Sequence, residues 1–168
     1  MNNLPRALYT IHFKNTLFNF NSFELLKVEI QDFILRIVCA IAAGFVIGIE
    51  REFKQKHAGL KTNTLVALGA AIFVLISLNY LDREYTDITR VLGQVVTGIG
   101  FLGAGTILQH GKSIKGLTTA ATIWCSAAAG CLAAVGWFWE LLIVVIAVVI
   151  INLIFSFIES TWIENNDT

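Results

Sequence analysis

The sequence predicts an all-α integral membrane protein, a bundle of about five transmembrane helices. Two observations carry that reading. Of 168 residues, 56% are apolar and only 14% are charged, whereas a soluble domain carries roughly a quarter charged residues. Too few charges remain to coat a globule in water, so the lipid bilayer must solvate much of the surface. The apolar residues also fall into runs near the length of about 20 residues that a bilayer core asks of a helix.

The chain divides into an N-terminal extension (1–30), a transmembrane domain (31–160) and a short C-terminal tail (161–168). The extension is no convincing signal peptide, because Arg6, His12 and Lys14 interrupt its apolar residues. Leu4, Leu8, Ile11, Leu17, Phe18, Phe23 and Leu26 are spaced for an interfacial amphipathic helix, and a poorly ordered extension is the alternative. The five spans run from Phe33 to Ile49, Leu65 to Leu81, Val91 to Leu108, Leu117 to Val135 and Leu141 to Ile158. Each is apolar all round and not striped, as expected of helices that are buried or lipid-facing.

The connections hold most of the charge. The first carries Arg51, Lys54, Lys56 and Lys61, and the third carries Lys112 and Lys115. The second mixes Arg83 and Arg90 with Asp82, Glu84 and Asp87, and the short fourth contains Trp137 and Trp139. The excess of Lys and Arg places the first and third connections in the cytoplasm, with the N-terminus outside and the C-terminus inside. Arg6, Lys14 and Lys27 weigh against that orientation. Formal net charge is zero, which gives no argument for a nucleic-acid partner.

Small residues mark the helix interfaces. Ala40, Gly44 and Gly48 form a ladder on the first span, and Gly93, Thr97, Gly100 and Ala104 form another on the third. In lipid, apolar burial does not drive helices together, so close backbone approach must do so. Gly98, Gly100, Gly103 and Gly105 are read in the same way. Gly98, Gly100 and Gly103 also spell a formal GxGxxG, but it lies inside an apolar run and the next acidic residue is Glu140. A dinucleotide site would follow a strand and have an acidic residue about 20 positions on. Cys39, Cys125 and Cys131 form no CxxC pair and read as reduced packing residues.

Three polar constellations stand out. Asp87, Arg90, Gln94 and Thr97 are spaced by three, four and three, so they share one helical face. Thr118, Thr122 and Ser126, with Thr119 beside them, make a polar row in the fourth span. Glu50, Arg51 and Glu52 close the first span, either as interfacial charges or as an ion-pair clasp to Lys61 or a neighbouring loop. Arg36, near the opposite end, is expected to snorkel. Intramembrane polar groups mark pathways or sites, or serve as interhelical hydrogen bonds, and both readings stand for these rows. His57 and His110 lack companions for a metal site. There is no Ser/His/Asp constellation and no Walker A lysine, so no enzyme activity and no cofactor are expected.

Three ordered motifs resemble those of the MgtC/SapB family of bacterial inner-membrane proteins. The first is Glu50-Arg51-Glu52 followed by Ala58 to Gly69 (AGLKTNTLVALG), the second Gln94 to Gly105 (QVVTGIGFLGAG), and the third Lys115 to Ala129 (KGLTTAATIWCSAAA). The resemblance covers roughly residues 32 to 155. It singles out Glu50, Arg51, Thr62 and Asn63 as a cytoplasmic-side motif, and Gln94 as the opening of the glycine-rich signature. Some relatives have Asn where Thr118 stands. The resemblance implies a regulatory membrane protein linked to growth in low magnesium, in some members to intracellular survival, acting through another membrane protein or by self-association. A small channel or carrier for an ion such as Mg²⁺ is the competing expectation. Magnesium asks for several oxygen ligands or retained waters, and the spans hold almost no carboxylate. Many members add a soluble C-terminal domain. This chain stops about ten residues after the fifth span, which implies that any role of that domain is absent or supplied elsewhere.

Overall fold

The computed structural model describes residues 29–80, 87–111 and 113–164. The expected N-terminal extension and part of the second connection lie outside that range. Five helices form: α1 (Ile30–Phe53), α2 (Leu60–Leu78), α3 (Ile88–Gly105), α4 (Leu117–Val135) and α5 (Phe138–Glu164). All five contain a stretch long and apolar enough to cross a membrane. The architecture is the all-α membrane bundle the sequence predicts.

The boundaries differ in ways that matter. α1 runs one turn past the expected end, so Glu50, Arg51 and Glu52 lie on the helix and not in a loop. α2 starts at Leu60, which puts Lys61, Thr62 and Asn63 in its first turn. α3 stops at Gly105, three residues early. The next residues form a two-stranded antiparallel hairpin, β1 (Leu108–His110) with β2 (Ser113–Lys115), pairing Leu108 with Lys115 and His110 with Ser113. Apolar Ile107 and Leu108 continue the hydrophobic run, which hides the break. Gly103 and Gly105 weaken the helix there, since glycine is about 1 kcal/mol less favourable than alanine in a helix. Gly116 then turns the chain into α4 at φ +92°, and a β-carbon there would collide with the Thr106 carbonyl oxygen. α5 starts at Phe138 and continues to Glu164, so it takes in part of the expected tail.

α2 lies between α1 and α4 and packs most extensively on both. Ala40, Ala43 and Ile47 of α1 meet Ala71, Val74 and Leu75 of α2 and Ala129 and Ala133 of α4, with Leu141 and Val145 of α5 closing the cluster. A second cluster, Ala58, Val66, Ala70, Ile123 and Ala127, sits nearer the first connection. These side chains are small because the backbones nearly touch. A β-carbon on Gly44 would lie 2.6 Å from the Asn63 carbonyl oxygen, and one on Gly48 would lie 2.7 Å from Leu60 Cα. Gly130 is tighter still, for a β-carbon there would overlap the Ala67 carbonyl oxygen. Large apolar residues such as Leu35, Phe45, Phe73, Phe101, Ile143 and Phe155 point outward, as lipid-facing residues must.

The ladder on the third span behaves differently from the expectation. Added β-carbons on Gly93, Gly98, Gly100 and Gly105 meet nothing within 4 Å among the described residues. Among the described residues these glycines are not packing contacts. Only Gly103 approaches a neighbour, with Ala120 Cβ 3.5 Å from its would-be β-carbon. The reason is the position of α3, which leans on α4 at the hairpin end and touches α2 lightly. Only 11% of its span is buried in the molecule, against 50% for α4.

At the opposite end, α4 closes with Gly136 at φ +80°. Gly136 N–H donates to Ala133 O at 3.1 Å and Trp137 N–H to Leu132 O at 3.1 Å. That pair is the Schellman closure, which leaves the Ala134 carbonyl without a helical donor. Arg36 fills the gap, donating from Nη1 to Ala134 O at 2.6 Å while Nη2 pairs with Asp32 at 3.1 Å. The expectation that Arg36 simply snorkels is therefore corrected: its guanidinium ties α1 to the end of α4.

Candidate functional site

The first and third motifs converge at the end of the bundle that carries the first connection and the hairpin. Arg51, in the last turn of α1, is buried, and its Nη2 donates to Thr119 Oγ1 at 2.8 Å. Asn63, in the first turn of α2, is fully buried. Its Nδ2 donates to the carbonyls of Ala58 and Gly59, both at 2.8 Å, and its Oδ1 accepts from Ser126 Oγ at 2.8 Å. Ser126 also lies 3.1 Å from the Thr122 carbonyl, and Thr122 donates to the Thr118 carbonyl at 2.8 Å. Two short sets of hydrogen bonds thus meet on α4, one reaching it from α1 and the other from α2. Each bond is worth more for being shielded from water, because an unmade one would leave a buried polar group unsatisfied.

Glu52 contributes from the side. Its carboxylate accepts from Leu60 N–H at 3.1 Å, so α1 supplies the N-terminal cap that Gly59 cannot. Glu50 is buried and pairs with Lys54 at 3.1 Å, one turn on; among the described residues it does not reach Lys61. Thr62 is exposed and takes no part in the network. Of the motif Glu50, Arg51, Thr62 and Asn63, then, Arg51 and Asn63 enter the polar junction, while Glu50 and Thr62 stand beside it. In the third motif, Thr119 and Thr122 face inward and Thr118 faces outward.

Beside the junction opens a cavity of about 1050 Å³ between the first connection, the hairpin, the start of α4 and α5. Arg51, His57, Lys115, Thr118 and Thr119 line it, together with Asn152 and Ser156 of α5. Asn152 is 8% exposed and its Nδ2 finds no hydrogen-bond partner among the described residues. Sequence reasoning passed over this residue. Its signal was present, since it is a lone amide inside the apolar run from Leu141 to Ile158.

The polar face on the third span is separate from this junction. Asp87 is the N-cap of α3, accepting from Thr89 N–H at 2.8 Å and Thr89 Oγ1 at 2.6 Å. The Thr89 hydroxyl first, and its amide second, hold the Asp87 carboxyl below the ordinary carboxylate range. The carboxylate therefore caps the helix and makes no ion pair with Arg90. Gln94 lines an apolar groove of about 680 Å³ between α2 and α3, with Thr62, Phe73 and Leu102 among its walls. Thr97 turns its hydroxyl back to the Gly93 carbonyl at 2.9 Å. All four residues are exposed along one outward helix. All three cysteines are free and only partly buried. Among the described residues no group of three or more His, Cys, Asp or Glu side chains assembles for a metal ion.

The comparisons with known proteins agree with the pattern of motifs. The model of the MgtC family matches residues 37–161. An uncharacterized protein of Synechocystis is 46% identical over 126 residues, which are 75% of this chain and 53% of that protein. Protein MgtC of Salmonella typhimurium is 43% identical over 122 residues, 73% of this chain and 52% of its own. Protein MgtC of Brucella abortus is 47% identical over 113 residues, 67% of this chain and 47% of its own. The chain thus spans about half the length of the curated relatives it matches. No solved structure gives a significant match. With three motifs in order, five spanning helices and a family match across most of its length, this chain belongs to the MgtC family.

Proposed function

We propose that the protein is a regulatory component of the bacterial inner membrane, supporting adaptation to low magnesium by acting on other membrane proteins. The observation that carries this reading is the open face of α3. Small residues at Gly93, Thr97 and Gly100 usually exist to let another backbone approach, and no described part of this chain approaches them. A second transmembrane helix is the natural occupant of such a face. The orientation that goes with the reading puts the first connection and the hairpin in the cytoplasm, where their basic residues belong.

The competing reading is a small carrier or channel for an ion such as Mg²⁺. It needs oxygen atoms free to replace water around the ion. Here the Thr122 and Ser126 hydroxyls donate to backbone or to Asn63, and the Thr119 hydroxyl accepts from Arg51. Side chains committed to a packing network make poor ion ligands. The discriminating experiment is Mg²⁺ flux into liposomes holding the purified protein and an internal indicator. The regulatory reading expects flux equal to that of protein-free liposomes. A saturable, protein-dependent flux would favour the carrier.

A further inference from the structure

The cavity beside the polar junction has a chemistry that packing does not use. Two residues that line it carry buried donors without a partner among the described residues. Arg51 is 4% exposed, and its Nε has no hydrogen-bond partner among the described residues even though Nη2 is held by Thr119. Asn152, 92% buried by the same measure, also presents an unpartnered Nδ2. Buried polar atoms are nearly always satisfied in native proteins, so two orphan donors on one cavity ask for an acceptor.

The backbone points the same way. α4 begins on the cavity wall, and Gly116 gives it no side-chain cap. The first helical bond is from Ala120 N–H to Gly116 O at 2.9 Å, which leaves the amides of Leu117, Thr118 and Thr119 without intrahelical acceptors. The positive end of a helix dipole therefore opens onto the same space. Lys115 and His57 line it as well, and no carboxylate does among the described residues. Glu50, buried but not on the cavity wall, meets Lys54 through Oε1, and its Oε2 has no hydrogen-bond partner among the described residues.

We propose that this cavity binds a phosphate-type oxyanion, with Arg51, Lys115, Asn152 Nδ2 and the α4 amides as its donors. At about 1050 Å³ the cavity is far larger than a phosphate. Its remaining wall is apolar and continuous with the lipid-facing surface, through Leu117, Ile151 and Phe155, each more than half exposed. That combination fits an anionic phospholipid, with the headgroup phosphate on the donors and an acyl chain along α5. Phosphate from water shares the headgroup chemistry but would leave the apolar wall unused.

The test uses the full chain in nanodiscs of phosphatidylcholine, with the thermal midpoint read as phosphatidylglycerol is raised. A parallel arm adds inorganic phosphate to discs of phosphatidylcholine alone. Phosphatidylglycerol should raise the midpoint. Lys115→Gln and Asn152→Leu should each need about tenfold more of the anionic lipid for the same rise, the loss expected of a charge-assisted contact. Lys115→Arg should behave as the unaltered chain. Lys61→Gln, a basic residue on the same end but off this cavity, should change nothing, which separates the site from general attraction to an anionic surface. If inorganic phosphate alone raises the midpoint and Lys115→Gln weakens that rise, the oxyanion site stands and its source is water. Lys115 is exposed on β2, so that variant folds whatever Asn152→Leu does. The proposal is overturned if neither anion shifts the midpoint, or if Lys115→Gln responds like the unaltered chain.

Discussion

Asn63 is the residue on which the most structure depends. Its amide holds the end of the first connection by two carbonyls, and its oxygen reaches across to Ser126 on α4. Asn63→Ala removes the side-chain donor from the Ala58 carbonyl and the tie across to Ser126, while Gly59 O keeps the backbone N–H of residue 63 and Ser126 keeps the Thr122 carbonyl; a buried orphan costs about 1–3 kcal/mol. A fall in thermal midpoint with reduced membrane accumulation is the expected result. Asn63→Asp should do at least as much damage, because it turns a donor facing two carbonyl oxygens into an acceptor. A midpoint for Asn63→Asp near that of the unaltered chain would show that the network does not matter. Asp87 gives the complementary case outside the membrane. Thr89 lowers its folded pKa, so its contribution is present above the unfolded value and is lost as pH falls through the folded one. The carboxyl carbon shift of Asp87 should titrate below the ordinary aspartate range, and Thr89→Ala should move the midpoint up. Such roles were only half legible in the sequence. The motifs drew attention to Asn63, but its partner lies 63 positions away, and no periodicity announces such a pairing. Asn152 was legible as a lone amide and went unremarked because it belongs to no row.

At the scale of elements, glycine spacing alone misjudged which helices touch. Gly44 and Gly48 on the first span and Gly93 and Gly100 on the third follow similar spacing rules, yet among the described residues only the first pair meets a neighbouring backbone. What decides is whether a neighbour lies opposite, and that is a property of the bundle, not of the helix. Gly130, which formed part of no ladder, proves the tightest of these contacts because α2 presents the Ala67 carbonyl to it. Gly130→Val should therefore prevent accumulation of folded protein, since overpacking costs about 1–3 kcal/mol where neighbours can shift and more where they are backbone. Normal yield and a normal midpoint for that variant would refute the contact. The five spans themselves were legible from composition and length. The hairpin was not, because Ile107 and Leu108 carry the apolar run past the end of α3 and into its first strand.

The whole molecule is a tight core of α1, α2 and α4, with α5 along one side and α3 leaning outward. The basic residues of the first connection and of the hairpin come to one end, as their loop positions foretold. If that end is cytoplasmic, Gln55→Cys in a chain lacking Cys39, Cys125 and Cys131 should resist an impermeant thiol reagent in intact cells and react once the membrane is opened. Labelling in intact cells would reverse the orientation. The outward position of α3 bears on the central claim, that the protein works through a partner helix on the face of Gly93, Thr97 and Gly100. The most direct measurement is low-magnesium growth of a bacterial strain lacking its own family member and carrying Gly100→Leu. No described residue lies within 4 Å of the β-carbon position at Gly100, so the variant should accumulate and melt normally. It should nevertheless fail to support growth, because the added side chain occupies the partner's place. Full growth with Gly100→Leu would contradict the account.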